Sequence, residues 1–95
     1  MNTDKLTKIT DILTAWGVPM LTGWRALLRC AVVAAQHEAW GEPWTPMGVG
    51  QEVSALMGKK QWTLWQSMRN ALRKSRCAPR SVAAAIKLLV ERVVA

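Results

Sequence analysis

Residues 26–35 read ALLRCAVVAA. Apolar side chains lie on almost every side of a helix formed by this stretch, and a helix of that kind is packed by neighbours on several sides. We therefore expect a central helix that begins near Thr22 and forms the axis of the hydrophobic core.

A shorter amphipathic segment precedes this helix and another follows it. Apolar residues recur at helical spacing before Gly17-Val18-Pro19, which ends the first segment; they are Leu6, Ile9, Leu13 and Trp16. After the central helix, the prolines and the glycine of residues 41–46 indicate a loop. Thr45-Pro46 then provides a cap followed by proline at the first helical position. We expect a short helix from there toward Met57, kinked or broken near Gly48 and Gly50.

Two further helices are predicted after a tight turn at residues 58–61. The first runs from Trp62 to about Lys74, and the second begins near Pro79 or Ser81. The predicted fold is all-α, a compact bundle of five to six helices in a single domain over residues 1–95. A short helix, a four-residue turn and a longer helix have the spacing of a helix-turn-helix, which we expect at about residues 51–74.

Basic residues are concentrated in the second half of the chain. Residues 1–52 carry a net charge of −1, whereas residues 53–95 carry nine basic side chains against Glu91 alone. Such an uneven distribution of basic residues favours binding of a polyanionic partner, here double-stranded DNA. The alternative is a solvated basic face that serves solubility. Anionic lipid fits less well, because the basic residues are spread over two helices and a loop.

The helix after the turn has a polar face suited to a DNA groove. With its apolar stripe turned inward, the candidate base-reading residues are Thr63, Gln66, Arg69, Asn70 and Arg73. Arginine pairs with guanine, and glutamine and asparagine pair with adenine. A threonine, or a tryptophan such as Trp62 on the same face, can touch a thymine methyl group. Candidate phosphate contacts flank this helix at both ends; they are Lys59, Lys60, Lys74, Arg76 and Arg80.

Short strings in a fixed order support the same interpretation. They are Ile9-x-x-Ile12-Leu13 before Gly17-Val18-Pro19, Leu28-Arg29-x-Ala31-Val32, Val49-x-x-Glu52-Val53 with Met57, and Met68-Arg69-x-Ala71-Leu72. In this order and spacing the chain resembles the C-terminal DNA-binding domain of the sporulation initiation response regulator, the sporulation stage zero protein A family. The family's receiver domain is not expected in this chain.

The resemblance implies a six-helix fold whose recognition helix follows Lys60, and two copies bound side by side as a homodimer on tandem sites. The sequence departs from the family where the recognition helix carries charged base-reading side chains. Thr63, Trp65 and Gln66 occupy those positions here, and Arg69 alone keeps the charged type. Gly23 also lies one residue earlier than in the family.

No residues with a catalytic arrangement are found. His37 is the only histidine, no second metal ligand lies near it in the sequence, and the serines lack a histidine partner. We expect no enzymatic activity, no metal and no cofactor. The N-terminal residues lack the pattern of a signal peptide, and no apolar run is long enough to span a bilayer, so we expect a cytoplasmic protein without a membrane partner.

A second function class remains open beside a transcription regulator. The same scaffold could belong to a small inhibitor or adaptor, for example a phage-encoded inhibitor, that binds a protein or nucleoprotein partner. Tryptophan and arginine are common anchors of protein interfaces. The candidate interface residues are Trp62 and Trp65, taken to be exposed, with Trp40 and Trp44.

Overall fold

The structure is a computed structural model that describes residues 3–94, apart from the side chain of Thr3. Within this range it contains five α-helices and no β-strand. The helices are α1 (Thr3–Ala15), α2 (Thr22–Ala39), α3 (Pro46–Leu56), α4 (Gln61–Arg73) and α5 (Val82–Val94). The prediction of an all-α fold is confirmed, and five helices fall within the predicted number.

Helix α2 is the central helix, as its apolar sequence predicts. It packs against each of the other four helices, and Leu27, Cys30 and Ala31 on it are fully buried. The Cys30 Sγ atom lies 3.8 Å from the Met68 Sδ atom of α4. Burial raises the pKa of the Cys30 thiol to about 12. Cys30 is therefore uncharged at neutral pH and serves as an apolar contact between α2 and α4.

Helix α3 begins as predicted but is not broken. The Thr45 side chain accepts a hydrogen bond from the Gly48 amide at 3.0 Å, and Pro46 is the first helical residue. Of the kink or break predicted near Gly48 and Gly50, the break is wrong, because α3 is continuous from Pro46 to Leu56. A β-carbon added to Gly50 would lie 3.1 Å from the Trp65 ring of α4. The absence of a side chain at Gly50 therefore leaves space for the Trp65 ring. The packing of Trp65 outweighs the low helix propensity of glycine at this position.

The connection between α3 and α4 is the tight turn expected from Gly58. This glycine has a φ of 64°, a left-handed conformation that other residues rarely adopt. It allows the Lys59 amide to donate to the Ser54 carbonyl at 2.9 Å, which closes the end of α3. The Gln61 side-chain amide donates to the Met47 carbonyl at 3.3 Å. This hydrogen bond links the start of α4 to the start of α3.

The segment between α4 and α5 crosses the end of α1. The backbone amides of Arg76 and Cys77 both donate to the Trp16 carbonyl, at 2.9 and 3.2 Å. Ser81 then accepts a hydrogen bond from the Ala84 amide at 3.3 Å and caps α5. Of the two predicted starting points for this helix, Ser81 is therefore the correct one. No helix in residues 3–94 has the length and apolar character needed to cross a membrane.

Candidate nucleic-acid interface

Helix α4 buries one side and exposes the other, as projected from the sequence. Its buried residues are Leu64, Met68, Ala71 and Leu72. Among the predicted base-reading residues, Gln66 is half-buried and the rest are exposed; the exposed ones are Thr63, Arg69, Asn70 and Arg73. All five thus lie where a partner could reach them.

The polar side of α4 divides into two edges. Trp62, Gln66, Arg69 and Arg73 follow one another at intervals of four, three and four positions, so they form a single row along the helix. We call these four residues the α4 row. Asn70 lies on the other edge, where it lines a groove against the start of α2 together with Leu21, Thr22, Gly23, Ser67, Ala71 and Lys74. The structure therefore separates Asn70 from Arg69, although the two are adjacent in sequence.

Basic side chains lie at both ends of α4. Lys59 and Lys60 are exposed in the turn that precedes it, and Lys74 is exposed immediately after it. At a rise of 1.5 Å per residue, the backbones of Lys60 and Lys74 are about 20 Å apart. The major groove is about 12 Å wide, so these charges are far enough apart to contact phosphates on both of its walls.

The start of α4 also carries the positive end of the helix dipole. Lys60 is its N-cap residue and makes no side-chain capping hydrogen bond. The first-turn amides of a helix point toward the solvent before its start and attract anions. The helix dipole and the two lysines of the turn therefore both favour binding of an anion at the start of α4.

The other predicted phosphate contacts lie on the loop after α4. Arg76 and Arg80 are exposed, and the Arg76 side chain lies over Gly17, with its Nε atom 3.5 Å from the position of an added β-carbon. Because the Arg76 backbone is hydrogen-bonded to Trp16, this part of the loop is held against the end of α1. Arg76 thus extends the basic surface of α4 toward α1.

Only some of the predicted interface tryptophans are exposed. Trp62 is 70% exposed and Trp40 is 67% exposed. The expectation that Trp65 is exposed is wrong, because it is half-buried against the core and over Gly50. Trp44 is also half-buried, and its indole N–H donates to Glu38 at 2.8 Å.

Three of the six acidic residues line a groove outside α4 and its flanking segments. A groove of about 630 Å³ is lined by Glu38, Glu42 and Glu91 together with Trp44 and Lys87. No acidic residue occurs in α4, in the turn before it or in the loop after it. The lining of this groove therefore contains none of the basic residues of α4 or of the segments next to it.

His37 on α2 links this helix to the loop after it and to α3, a role that was not predicted from the sequence. Its Nδ1 atom lies 3.3 Å from Glu42 on the loop after α2, and its Nε2 atom lies 3.2 Å from Glu52 on α3. The hydrogen bond to Glu52, followed by that to Glu42, raises the pKa of His37 above its ordinary value of 6.5. In residues 3–94, no three His, Cys, Asp or Glu side chains come together in a way that could hold a metal ion.

Comparison with known protein families, with curated proteins and with solved structures finds no match. The resemblance to the sporulation regulator family, like DNA binding itself, stays a prediction.

Proposed function

We propose that this protein binds double-stranded DNA sequence-specifically, with α4 in the major groove, and acts as a transcription regulator. The observation that carries the proposal is the exposed, acid-free side of α4, which presents Arg69 and Arg73 between lysines at both ends of the helix. A surface of this kind supplies contacts to base edges and to phosphates at the same time.

In the proposed complex, α3, the turn at residues 57–60 and α4 act as a helix-turn-helix. Lys59 and Lys60 bind phosphates on one wall of the groove, and Lys74 binds on the other. These contacts supply affinity for any duplex, because phosphates are present in every sequence. They also hold α4 in a constant orientation over the bases.

Sequence preference in this proposal comes from the α4 row. Arg69 donates two hydrogen bonds to the O6 and N7 atoms of a guanine, and Gln66 pairs with an adenine. Asn70 and Thr63 act from the other edge of the helix. By the family resemblance, two copies occupy tandem sites on the DNA as a homodimer.

Salt dependence of duplex binding tests the phosphate contacts. Fluorescence anisotropy with a labelled random-sequence duplex measures the dissociation constant at several salt concentrations. About four to six phosphate contacts per copy give a log–log slope of about −4 to −5. Absence of binding at low salt, or a slope close to zero, contradicts the proposal.

Exposure of Trp62 and Trp40 favours one other candidate function. Large exposed aromatic side chains are common at the centres of protein interfaces, and an inhibitor or adaptor on this scaffold would use them to bind a protein partner. Under that alternative, Trp62→Ala abolishes partner binding, whereas Arg69→Ala leaves DNA site preference unchanged. Under the DNA-binding proposal, Arg69→Ala changes the site preference.

A further inference from the structure

Trp62 is the one large apolar side chain of the α4 row. It is 70% exposed, although tryptophan carries a large apolar ring whose burial is strongly favourable. Within the described residues, no hydrogen bond engages its indole N–H. The other end of the row carries arginines, and no acidic side chain lies on the helix. Trp62 therefore presents a free apolar surface to the same partner that meets Arg69.

We infer that Trp62 is a specificity-determining residue that contacts the 5-methyl group of a thymine. The inference rests on the proposed function, in which α4 enters the major groove. Among the groups exposed there, the thymine methyl is the apolar one, and it distinguishes a T·A pair from the other pairs. An indole ring at the start of a recognition helix can contact it without a hydrogen-bond partner.

The spacing of the row places this thymine relative to the guanine that Arg69 contacts. Trp62 and Arg69 are seven residues apart, which corresponds to about 10 Å along the helix axis. Base pairs are stacked about 3.4 Å apart, so the two side chains address positions about three base pairs apart. Gln66 lies between them and addresses the intervening pairs. The preferred site thus contains a T·A pair about three base pairs from a G·C pair.

The first step of the test identifies the preferred duplex. The full chain selects from a pool of duplexes with a randomised central stretch, and the guanine contacted by Arg69 is located by replacing each guanine with 7-deazaguanine, which lacks the N7 acceptor. The replacement that weakens the wild-type protein but not Arg69→Ala marks that guanine. Each thymine is then replaced singly by deoxyuridine, which removes only the 5-methyl group.

We expect one deoxyuridine substitution, about three base pairs from the marked guanine, to weaken wild-type binding about fourfold, the effect of one buried methyl group. The same substitution leaves the affinity of Trp62→Ala unchanged. Because Trp62 is exposed, this variant folds like the wild type, which circular dichroism verifies. Trp40→Ala, which removes an equally exposed tryptophan outside α4, keeps the wild-type sensitivity to the deoxyuridine substitution.

The outcomes separate this inference from the proposed function. If the protein selects a duplex through Arg69 but no deoxyuridine weakens binding, the role of Trp62 is overturned and DNA binding stands. Equal sensitivity of the wild type and Trp62→Ala to the same deoxyuridine also overturns it. If the protein selects no duplex, the proposed function fails, and this inference fails with it.

Discussion

A β-carbon added to Gly23 of α2 would lie 2.1 Å from the carbonyl oxygen of Ser67 in α4. The two helices therefore meet backbone to backbone at this point. On the other side of α4, the Trp65 ring packs over Gly50 of α3. The two glycines thus allow α2 and α3 to pack closely on either side of α4, and the α4 row lies between these two contacts.

Gly23→Ala is expected to destabilise the protein. In a helix without tertiary contacts, alanine is more favourable than glycine by about 1 kcal/mol. At Gly23 the methyl group meets a backbone carbonyl, which cannot move aside without displacing α4, and overpacking of this kind costs about 1–3 kcal/mol or more. The clash outweighs the propensity, so the free energy of unfolding measured by urea denaturation falls.

The matched control for this variant is Thr22→Ala. Thr22 precedes Gly23 and is exposed, so its replacement changes the free energy of unfolding by no more than about 0.5 kcal/mol. A Gly23→Ala protein that is as stable as the wild type would contradict the close contact between the backbones of α2 and α4 at this point.

Periodicity and turn chemistry account for most of the fold, because they act within a few residues. The cap at Thr45 and the turn at Gly58 were predicted from local sequence, and Ser81 was one of the two starting points predicted for α5. Contacts between helices could not be predicted from local sequence. Periodicity indicates which side of a helix is buried but not which neighbour covers it, so the packing of Trp65 over Gly50 was missed.

The same distinction applies to the candidate interface. The exposed side of α4 and the lysines at its ends followed from sequence spacing. The different surroundings of Asn70 and Arg69 could not be predicted from the spacing, because Asn70 lines a groove whose position depends on where α2 begins. The role of His37 could not be predicted either, because Glu52 is distant from it in sequence and reaches it only through the packing of α3 on α2.

Stability is expected to fall as the pH rises above the ordinary pKa of histidine. His37 faces a carboxylate with each ring nitrogen, so both nitrogens donate only when the imidazole is protonated. Because folding raises the pKa of His37 above 6.5, its contribution is fully present below about pH 6.5 and is lost as the pH rises through the folded-state pKa. Thermal melts between pH 6 and pH 8 measure this loss.

His37→Gln tests the origin of that pH dependence. His37 is the only histidine in the chain, so the variant is expected to have nearly constant stability from pH 6 to pH 8. Glu52→Gln, which removes the stronger of the two partners, reduces the dependence without abolishing it. A dependence that is unchanged in His37→Gln would assign the effect to another group.

Lysines of the turn before α4 are expected to set the salt dependence of DNA binding. Replacing Lys59 and Lys60 together by alanine weakens binding to all duplexes alike and flattens the log–log salt slope by about two units. Each single replacement flattens it by about one unit. Anisotropy titrations with a random-sequence duplex measure both slopes.

Lys87→Ala is the matched control for the single lysine replacements. It removes the same charge from the acidic groove that contains Glu38, Glu42 and Glu91, so it is expected to leave the slope unchanged. Equal effects of Lys60→Ala and Lys87→Ala would mean that net charge alone governs binding and that the turn makes no phosphate contact.

Arg69 is expected to determine site preference without contributing to the fold. It is exposed in the middle of the α4 row and, in the proposed complex, donates two hydrogen bonds to one guanine. Arg69→Ala therefore weakens binding to the preferred duplex by about 1–3 kcal/mol. Its effect on random-sequence duplex is small, because the phosphate contacts at the ends of α4 remain. Anisotropy with the two duplexes, preferred and random, measures the difference.

A residue on the opposite side of α4 separates this effect from loss of structure. Leu72 is 1% exposed, and Leu72→Ala is expected to reduce the free energy of unfolding by about 2–5 kcal/mol. Once enough protein is folded, however, Leu72→Ala prefers the same site as the wild type, whereas Arg69→Ala has wild-type stability and a weakened preference. Reduced stability in Arg69→Ala, or a preference that survives the replacement, would remove Arg69 from the proposed base contacts and leave the α4 row as a surface for a protein partner.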